Sequence, residues 1–182
     1  LRRIYREADR AAKIVQNLLT FSGSHRQIRR RVHVERVLTR ALASRRRART
    51  RGHIDIVRDR KDDQATVVGD PLLLQQAFLN VLINAEHAIA ATGRPGAITI
   101  ATWSSGGRVI TTVRDTGTGI ADDVAPRIFD PFFTTKAVGE GTGLGLAITY
   151  GIVQEHGGTI QAANSGDAGA VITIELPAAD KA

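Results

Sequence analysis

The chain has 182 residues and a formal net charge of +7, a length suited to one main domain with a small appendage. It contains no cysteine, which excludes a disulfide framework and thiolate metal sites. No apolar run reaches the ~18 residues of a membrane span. The positive charge is local, because residues 26–60 hold thirteen arginines and three acidic residues. An arginine-rich stretch without interleaved aromatic residues is typical of a solvated helix face, so we expect neither nucleic-acid binding nor membrane contact.

The first 22 residues predict a helix with a heptad-type apolar seam. The residues of the seam are Ile4, Ala8, Ala11, Val15 and Leu18. We expect its partner helix to lie upstream or in a second subunit, and packing on the chain's own domain remains the alternative. Because the chain contains no methionine, even at position 1, we expect it to be part of a longer protein.

The middle of the chain predicts alternating short strands and helices. Asp70 followed by Pro71 is typical of a helix start, and the apolar pattern then runs to Gly93. Gly106-Gly107 between two alternating segments predicts a hairpin. The predicted strands lie at 32–34, 53–57, 65–68, 97–103 and 108–115, and the predicted helices at 34–49 and from 71 to Gly93.

The C-terminal part predicts a loop, a helix and a second pair of strands. Residues 116–142 are rich in glycine, proline and threonine and are typical of a mobile lid. A helix is predicted over 142–156, followed by strands at 158–164 and 168–176. The order predicts an α+β fold in which helices cover one face of a mainly antiparallel sheet.

Two asparagines stand out on the long helix. Asn80 and Asn84 are four residues apart and so share one face, with His87 a turn beyond. Their neighbours are apolar, and an unpaired buried amide costs about 1–3 kcal/mol. An asparagine oxygen suits a hard cation such as Mg²⁺, whereas hydrogen bonding to nearby backbone groups is the structural alternative.

Two glycine-rich segments follow. In DTGTGI, Asp115 ends a strand and can accept a hydrogen bond from an exocyclic amine such as that of adenine, although the same pattern also makes an ordinary turn. The stretch GEGTGLGLAITY, from Gly139 to Tyr150, has neither the GxxxxGK[ST] pattern nor a GxGxxG after a strand. Its backbone N–H groups at a helix start can bind phosphates.

Four segments in this order resemble a known family. NVLINAEHAI, DTGTGI, IFDPFFTTK and GTGLGLAI resemble the N box, first glycine box, F box and second glycine box of bacterial sensor histidine kinases. These belong with the gyrase, heat-shock-90 and mismatch-repair ATPases. The resemblance covers about 32–176, and the F box, Phe129 to Lys136, is similar to that of the nitrogen-regulatory and sensory-box kinases. It implies a two-layer α/β sandwich, the Bergerat ATP-binding fold.

The resemblance also implies roles for single residues. Asn84 would coordinate Mg²⁺, Asn80 would support the metal or phosphate end, and His87 would face the phosphates. Asp115 would accept the adenine amine. Because Asn80 cannot act as a general base, the site is suited to phosphoryl transfer rather than rapid hydrolysis. The remaining residues implied in ATP binding are Gly117, Gly119, Ile120, Lys136, Gly141, Thr142, Gly143, Leu144, Gly145 and Leu146.

The resemblance divides the chain into four parts and implies the partners. Residues 1–25 would be the second helix of a dimerisation and phosphoacceptor hairpin, 26–31 a linker, 32–178 the ATP-binding catalytic domain and 179–182 a tail. None of the five histidines has the acceptor context, so the acceptor would lie on a helix of the same or a partner subunit. A response regulator receiver domain would be the next partner. We expect a cytoplasmic location and a homodimeric parent protein, which membrane segments upstream would be able to anchor.

Three other functions stay open on the sequence alone. An ATP-binding module without transferase activity would share the fold, but the asparagines, Asp115 and the glycines are intact. An anti-sigma-type serine kinase usually lacks a hairpin helix. A nucleic-acid protein would need more than the local arginine run.

Overall fold

The computed structural model describes residues 28–60, 62, 64–136, 141–166 and 168–179. The helix predicted over residues 1–25 lies outside them. The elements, in chain order, are β1 (Arg30–His33), α1 (Val34–Ser44), α2 (Arg46–Gly52), β2 (Ile54–Arg60), β3 (Thr66–Gly69), α3 (Pro71–Ala91), β4 (Gly96–Ser105), β5 (Arg108–Asp115), a 3-10 turn (Ala125–Arg127), α4 (Gly145–Glu155), β6 (Thr159–Asn164) and β7 (Ala170–Pro177).

The main sheet has five strands in the order β2-β4-β5-β7-β6. The β2–β4 pair is parallel and the other three pairs are antiparallel. Strands β1 and β3 form a separate antiparallel pair. The helices pack on the sheet around one apolar core, with Phe78, Leu38 and Ile98 among its most buried side chains. The predicted α+β sandwich with a mainly antiparallel sheet is confirmed.

Local chemistry explains the best-predicted elements. Asp70 caps α3, and its Oδ1 accepts from the N–H groups of Leu72 at 2.8 Å and Leu73 at 3.3 Å, while Pro71 occupies the first turn. At the β4–β5 hairpin, Gly106 and Gly107 both have positive φ, 56° and 73°, the conformation required of a two-residue turn that matches the strand twist.

The prediction of a single helix over 34–49 is wrong, because the structure has two helices there. Arg45 has φ −105° and ψ 1° and separates α1 from α2. Its guanidinium reaches Glu86 on α3. This contact joins residues 41 positions apart, so local periodicity predicts neither the contact nor the different conformation of Arg45.

In the described part of the chain, no helix combines the length and apolarity needed to cross a membrane. The first strand begins at Arg30, within the segment predicted as a linker.

Candidate nucleotide site

A cleft lies between α3, the segment that follows β5 and the start of α4. It comprises three adjoining cavities of about 930, 670 and 100 Å³. Asn84 and Ile128 line all three, and His87 and Lys136 line the two larger ones. The shared walls make the cavities parts of one site.

The smallest cavity is an apolar slot with one carboxylate. Asp115 ends β5 and is 5% exposed. Its Oδ1 accepts from Gly117 N at 2.8 Å and Ala170 N at 3.3 Å, and Oδ2 makes no hydrogen bond with the residues described. Burial raises the pKa of Asp115, and the two backbone hydrogen bonds oppose this shift. A flat ring carrying an amine donor fits such a slot. The apolar lining includes Val81, Ala85, Ala88, Val113, Ile120, Leu146 and Ile172.

The first glycine box closes around this slot. A Cβ on Gly117 would lie 2.6 Å from the Cβ of Ala88 on α3, so only glycine fits between the strand end and the helix. Gly119 has φ 74°, and it lines the slot together with Ile120 and Asp115. The structure therefore brings Asp115, Gly119 and Ile120 together, with Gly117 behind them.

The two asparagines have different environments. Asn80 is 8% exposed. Its Nδ2 donates to Gly145 O at 3.0 Å and Thr149 Oγ1 at 3.4 Å, and its Oδ1 accepts from Gln76 at 2.9 Å. Asn84 is half-buried, and its amide forms no hydrogen bond within the described residues. Asn80 thus joins α3 to α4, whereas Asn84 presents its amide to the cleft.

His87 and Lys136 meet across the two larger cavities. Lys136 Nζ lies 2.6 Å from His87 Nδ1. Because an ammonium group can only donate, Nδ1 is the acceptor of this contact. The contact links α3 to the end of the F box, 49 residues further along the chain. Both residues line the two larger cavities and neither lines the slot that contains Asp115.

The second glycine box fits against the F box. Gly143 has φ 66°, and a Cβ there would lie 2.3 Å from the carbonyl carbon of Phe132. A Cβ on Gly141 would lie 2.8 Å from Thr134 Oγ1. In both cases the atom that the Cβ would meet belongs to the F box. Phe132 is 67% exposed, whereas Phe133 lines the 670 Å³ cavity.

The start of α4 offers backbone donors to the same cavity. Its N-cap residue is Leu144, whose side chain has no hydrogen-bond acceptor. The N–H groups of the first turn therefore receive no hydrogen bond from a capping side chain. Leu144 itself is 3% exposed and packs in the core, which removes its side chain from the cleft. The other predicted members of this segment line the cavity: Gly141, Thr142, Gly143, Gly145 and Leu146.

Two residues of the site were missed from the sequence. Arg45 lines the 670 Å³ cavity and donates to Glu86 Oε2 from Nε at 3.0 Å and Nη2 at 2.6 Å. Asn164 holds the backbone of Ile120. Both act through partners more than 40 residues away, and neither belongs to a motif with recognisable spacing.

The fold, together with a cleft that has a buried carboxylate in its apolar slot and a glycine-rich segment along its 670 Å³ cavity, is that of a nucleotide-binding domain. The family model of histidine kinase-, DNA gyrase B- and HSP90-like ATPases matches residues 69–180. The chain therefore belongs to this family and carries its ATP-binding domain.

Named relatives place the chain near the sensor histidine kinases. Sensor histidine kinase ZraS of Salmonella typhi is 39% identical over 173 residues, which cover 94% of this chain and 36% of that protein. Signal transduction histidine-protein kinase AtoS of Escherichia coli K12 is 35% identical over 175 residues, which cover 96% of this chain and 28% of that protein. The chain thus spans about a third of the length of these relatives. The predicted histidine-kinase type of ATP-binding domain is confirmed, while the nitrogen-regulatory subgroup stays a prediction.

Solved structures agree. Full-length ShkA in complex with AMPPNP has a TM-score of 0.82 and 27% identity, covering 97% of this chain and 38% of that one. ThkA in complex with the response regulator protein TrrA has a TM-score of 0.78 and 28% identity, covering 97% of this chain and 49% of that one.

Proposed function

We propose that the chain binds Mg-ATP in the cleft and transfers the γ-phosphoryl group to a histidine on a dimerisation helix, which then supplies a response regulator receiver domain. This proposal rests mainly on the environment of the Asn84 amide. A half-buried amide that lines all three cavities, without a protein hydrogen bond within the described residues, has its oxygen available to a ligand.

The residues present fit a nucleotide with its metal. The slot at Asp115 takes the adenine ring, Gly119 and Ile120 line its wall, and Gly117 packs behind them against α3. Asn84 offers Mg²⁺ one oxygen. No group of three or more histidine or acidic residues among those described is placed to hold a metal, which suits an ion that takes its remaining ligands from phosphates and water. Bound Mg²⁺ would neutralise charge on the phosphates.

The phosphate end is formed by His87, Lys136 and the second glycine box. Lys136 supplies positive charge, and the first turn of α4 supplies N–H donors. Thr142 and the glycines at 141, 143 and 145 line this end. Asn80 acts here as a positioning residue, because its amide is engaged by Gly145, Thr149 and Gln76.

The same end favours transfer over hydrolysis. The amide of Asn80 cannot accept a proton from water, so it does not supply the base that rapid hydrolysis needs. In the transfer, the bond from the γ-phosphorus to the bridging oxygen breaks, a bond to an imidazole nitrogen forms, and ADP leaves.

The acceptor histidine is not among those in the described residues. His156 is buried and both of its ring nitrogens are engaged. Its Nδ1 lies 2.7 Å from Ile152 O, and its Nε2 accepts a hydrogen bond from Asp70 N at 3.0 Å. His87 contacts Lys136, His33 contacts Thr66, and His53 ends α2 in a left-handed conformation. None has the sequence context of an acceptor, and neither does His25, so we assign the acceptor to the first helix of a hairpin.

The proposed organisation follows from this assignment. Residues 1–25 would form the second hairpin helix, 26–29 the linker and 179–182 a tail, and the catalytic domain would begin with β1 at Arg30. The parent protein is a homodimer whose catalytic domain works in the cytoplasm. The named relatives and the ThkA complex with a response regulator support these partners.

Mg-dependent nucleotide binding and phosphorylation in trans test the proposal. The chain should bind a fluorescent ATP analogue more tightly with Mg²⁺ and should phosphorylate a separate hairpin carrying the acceptor histidine. It should not retain acid-labile, base-stable label alone. Binding without any transfer would favour a nucleotide-binding module, and acid-stable label on a serine would favour a serine kinase.

A further inference from the structure

Asn164, the last residue of β6, holds both main-chain polar groups of Ile120. Its Oδ1 accepts from Ile120 N at 2.7 Å, and its Nδ2 donates to Ile120 O at 2.7 Å. The two residues are 44 positions apart. The side-chain amide offers a donor and an acceptor side by side. It therefore pairs with the backbone of Ile120 as a residue of a neighbouring strand would.

Ile120 needs such support because it lies in irregular chain. It follows Gly119, whose φ is 74°, and lies between the end of β5 and the turn that begins near Asp122. Its side chain lines both the 930 Å³ cavity and the slot that contains Asp115. The position of Ile120 therefore sets one wall of the slot.

The turn that follows Asn164 supports Asp115, the carboxylate of the same slot. Ala170 N donates to Asp115 Oδ1 at 3.3 Å. A Cβ on Gly169 would lie 2.0 Å from Asp115 O, so this turn rests directly on the end of β5. The end of β6 and the start of β7 thus hold Ile120 and Asp115 from the same side.

We propose that Asn164 is a positioning residue for the nucleotide base: it fixes Ile120 in the wall of the slot that contains Asp115 before the nucleotide arrives. Asn164 occupies the N–H and C=O of Ile120, so these two groups are not available to the base. The Oδ2 atom of Asp115 remains available to it, because Gly117 and Ala170 bind only Oδ1. This inference rests on the proposed function, since it assigns the slot to the base of ATP.

Three variants test the proposal. Asn164→Ala removes both hydrogen bonds. Asn164→Asp keeps the shape but sets a carboxylate oxygen against Ile120 O. Gln161→Ala, an exposed polar residue on the same strand, is the matched control. The measurements are Mg-ATP and Mg-ADP affinity, amide hydrogen exchange at Ile120, and the Tm without nucleotide.

We expect Asn164→Ala to weaken ATP and ADP by the same factor, about tenfold, because two neutral hydrogen bonds no longer order the wall. Exchange at Ile120 should become faster. Asn164→Asp should weaken both nucleotides at least as much, while Gln161→Ala leaves them within about twofold. The KM for ATP should rise with little change in kcat, because the altered wall is remote from the transferred phosphoryl group.

Two results would overturn the inference. One is unchanged ATP affinity in both Asn164 variants. The other is a loss much larger for ATP than for ADP, which would place the effect at the phosphates. If Asn164→Ala does not fold, the isosteric Asn164→Asp decides. A wild-type chain that binds neither nucleotide would instead contradict the proposed function.

Discussion

Replacing Asp115 by asparagine should abolish most ATP binding without unfolding the domain. The two backbone N–H groups of Gly117 and Ala170 hold Oδ1. In the variant they require the amide oxygen at that position, so the NH₂ group takes the place of the free carboxylate oxygen. A donor then faces the amine of adenine. Loss of a hydrogen bond to a charged group costs about 1.5–3 kcal/mol, or about a 10- to 150-fold weaker Kd.

The stability of the same variant separates recognition from folding. Burial raises the pKa of Asp115 in the folded state, so its ionised form is disfavoured there. Stability therefore falls as the pH rises from the ordinary value of 3.8 through the raised pKa. At neutral pH, Asp115→Asn removes this cost and should leave the Tm equal or higher. The difference should vanish below the ordinary pKa.

Titration with a fluorescent ATP analogue and thermal unfolding between pH 3 and pH 8 provide the assay. Asp122→Asn, at an exposed carboxylate beyond the first glycine box, is the matched control and should change the affinity little. Unchanged affinity in Asp115→Asn would refute the assignment of the base. Loss of affinity together with a large drop in Tm at neutral pH would refute the hydrogen-bond argument.

Three further substitutions separate the parts of the cleft. Asn84→Ala should remove the Mg²⁺-dependent gain in ATP affinity with little change in Tm, since this amide has no hydrogen bond to lose in the described structure; an unchanged Mg²⁺ titration would contradict the assignment. Asn80→Ala should lower stability by about 1–3 kcal/mol, seen in denaturant unfolding, because Gln76 and the start of α4 lose a partner. Gly143→Ala should weaken ATP binding by displacing Phe132, whereas Gly151→Ala, where a Cβ meets nothing within 4 Å on helix α4, should leave binding unchanged and stabilise the helix.

The sequence predicted elements whose causes are local. The strand predicted at 108–115 has the bounds that the structure gives, because apolar alternation and the following turn both depend on neighbouring residues. Helix α3 likewise begins at Pro71 behind its Asp70 cap. The prediction of one helix over 34–49 failed at Arg45, whose side chain binds Glu86, a partner that local periodicity does not reveal.

The candidate site shows the same difference between features with local causes and features that depend on distant residues. Short motifs predicted Asp115, Asn84 and the glycines because each motif is a local backbone shape or a helical face. Periodicity correctly placed Asn80 and Asn84 on one side of α3. It could not tell that Asn80 is tied to α4 while Asn84 is not, because that difference depends on where Gly145 and Thr149 come to lie.

The two ends of the cleft are built by different parts of the fold. At the proposed base end, Asp115 and the supports of its slot lie at the ends of β5, β6 and β7, three strands that backbone hydrogen bonds hold together. At the phosphate end, the glycine box lies against the F box, and Lys136 reaches α3 through the polar contact with His87. Movement of Lys136 away from α3 would break that contact, which does not involve the strand ends. Changes at the proposed base end should therefore act mainly on nucleotide affinity, whereas changes around Gly143 or Lys136 should lower phosphoryl transfer as well as nucleotide affinity.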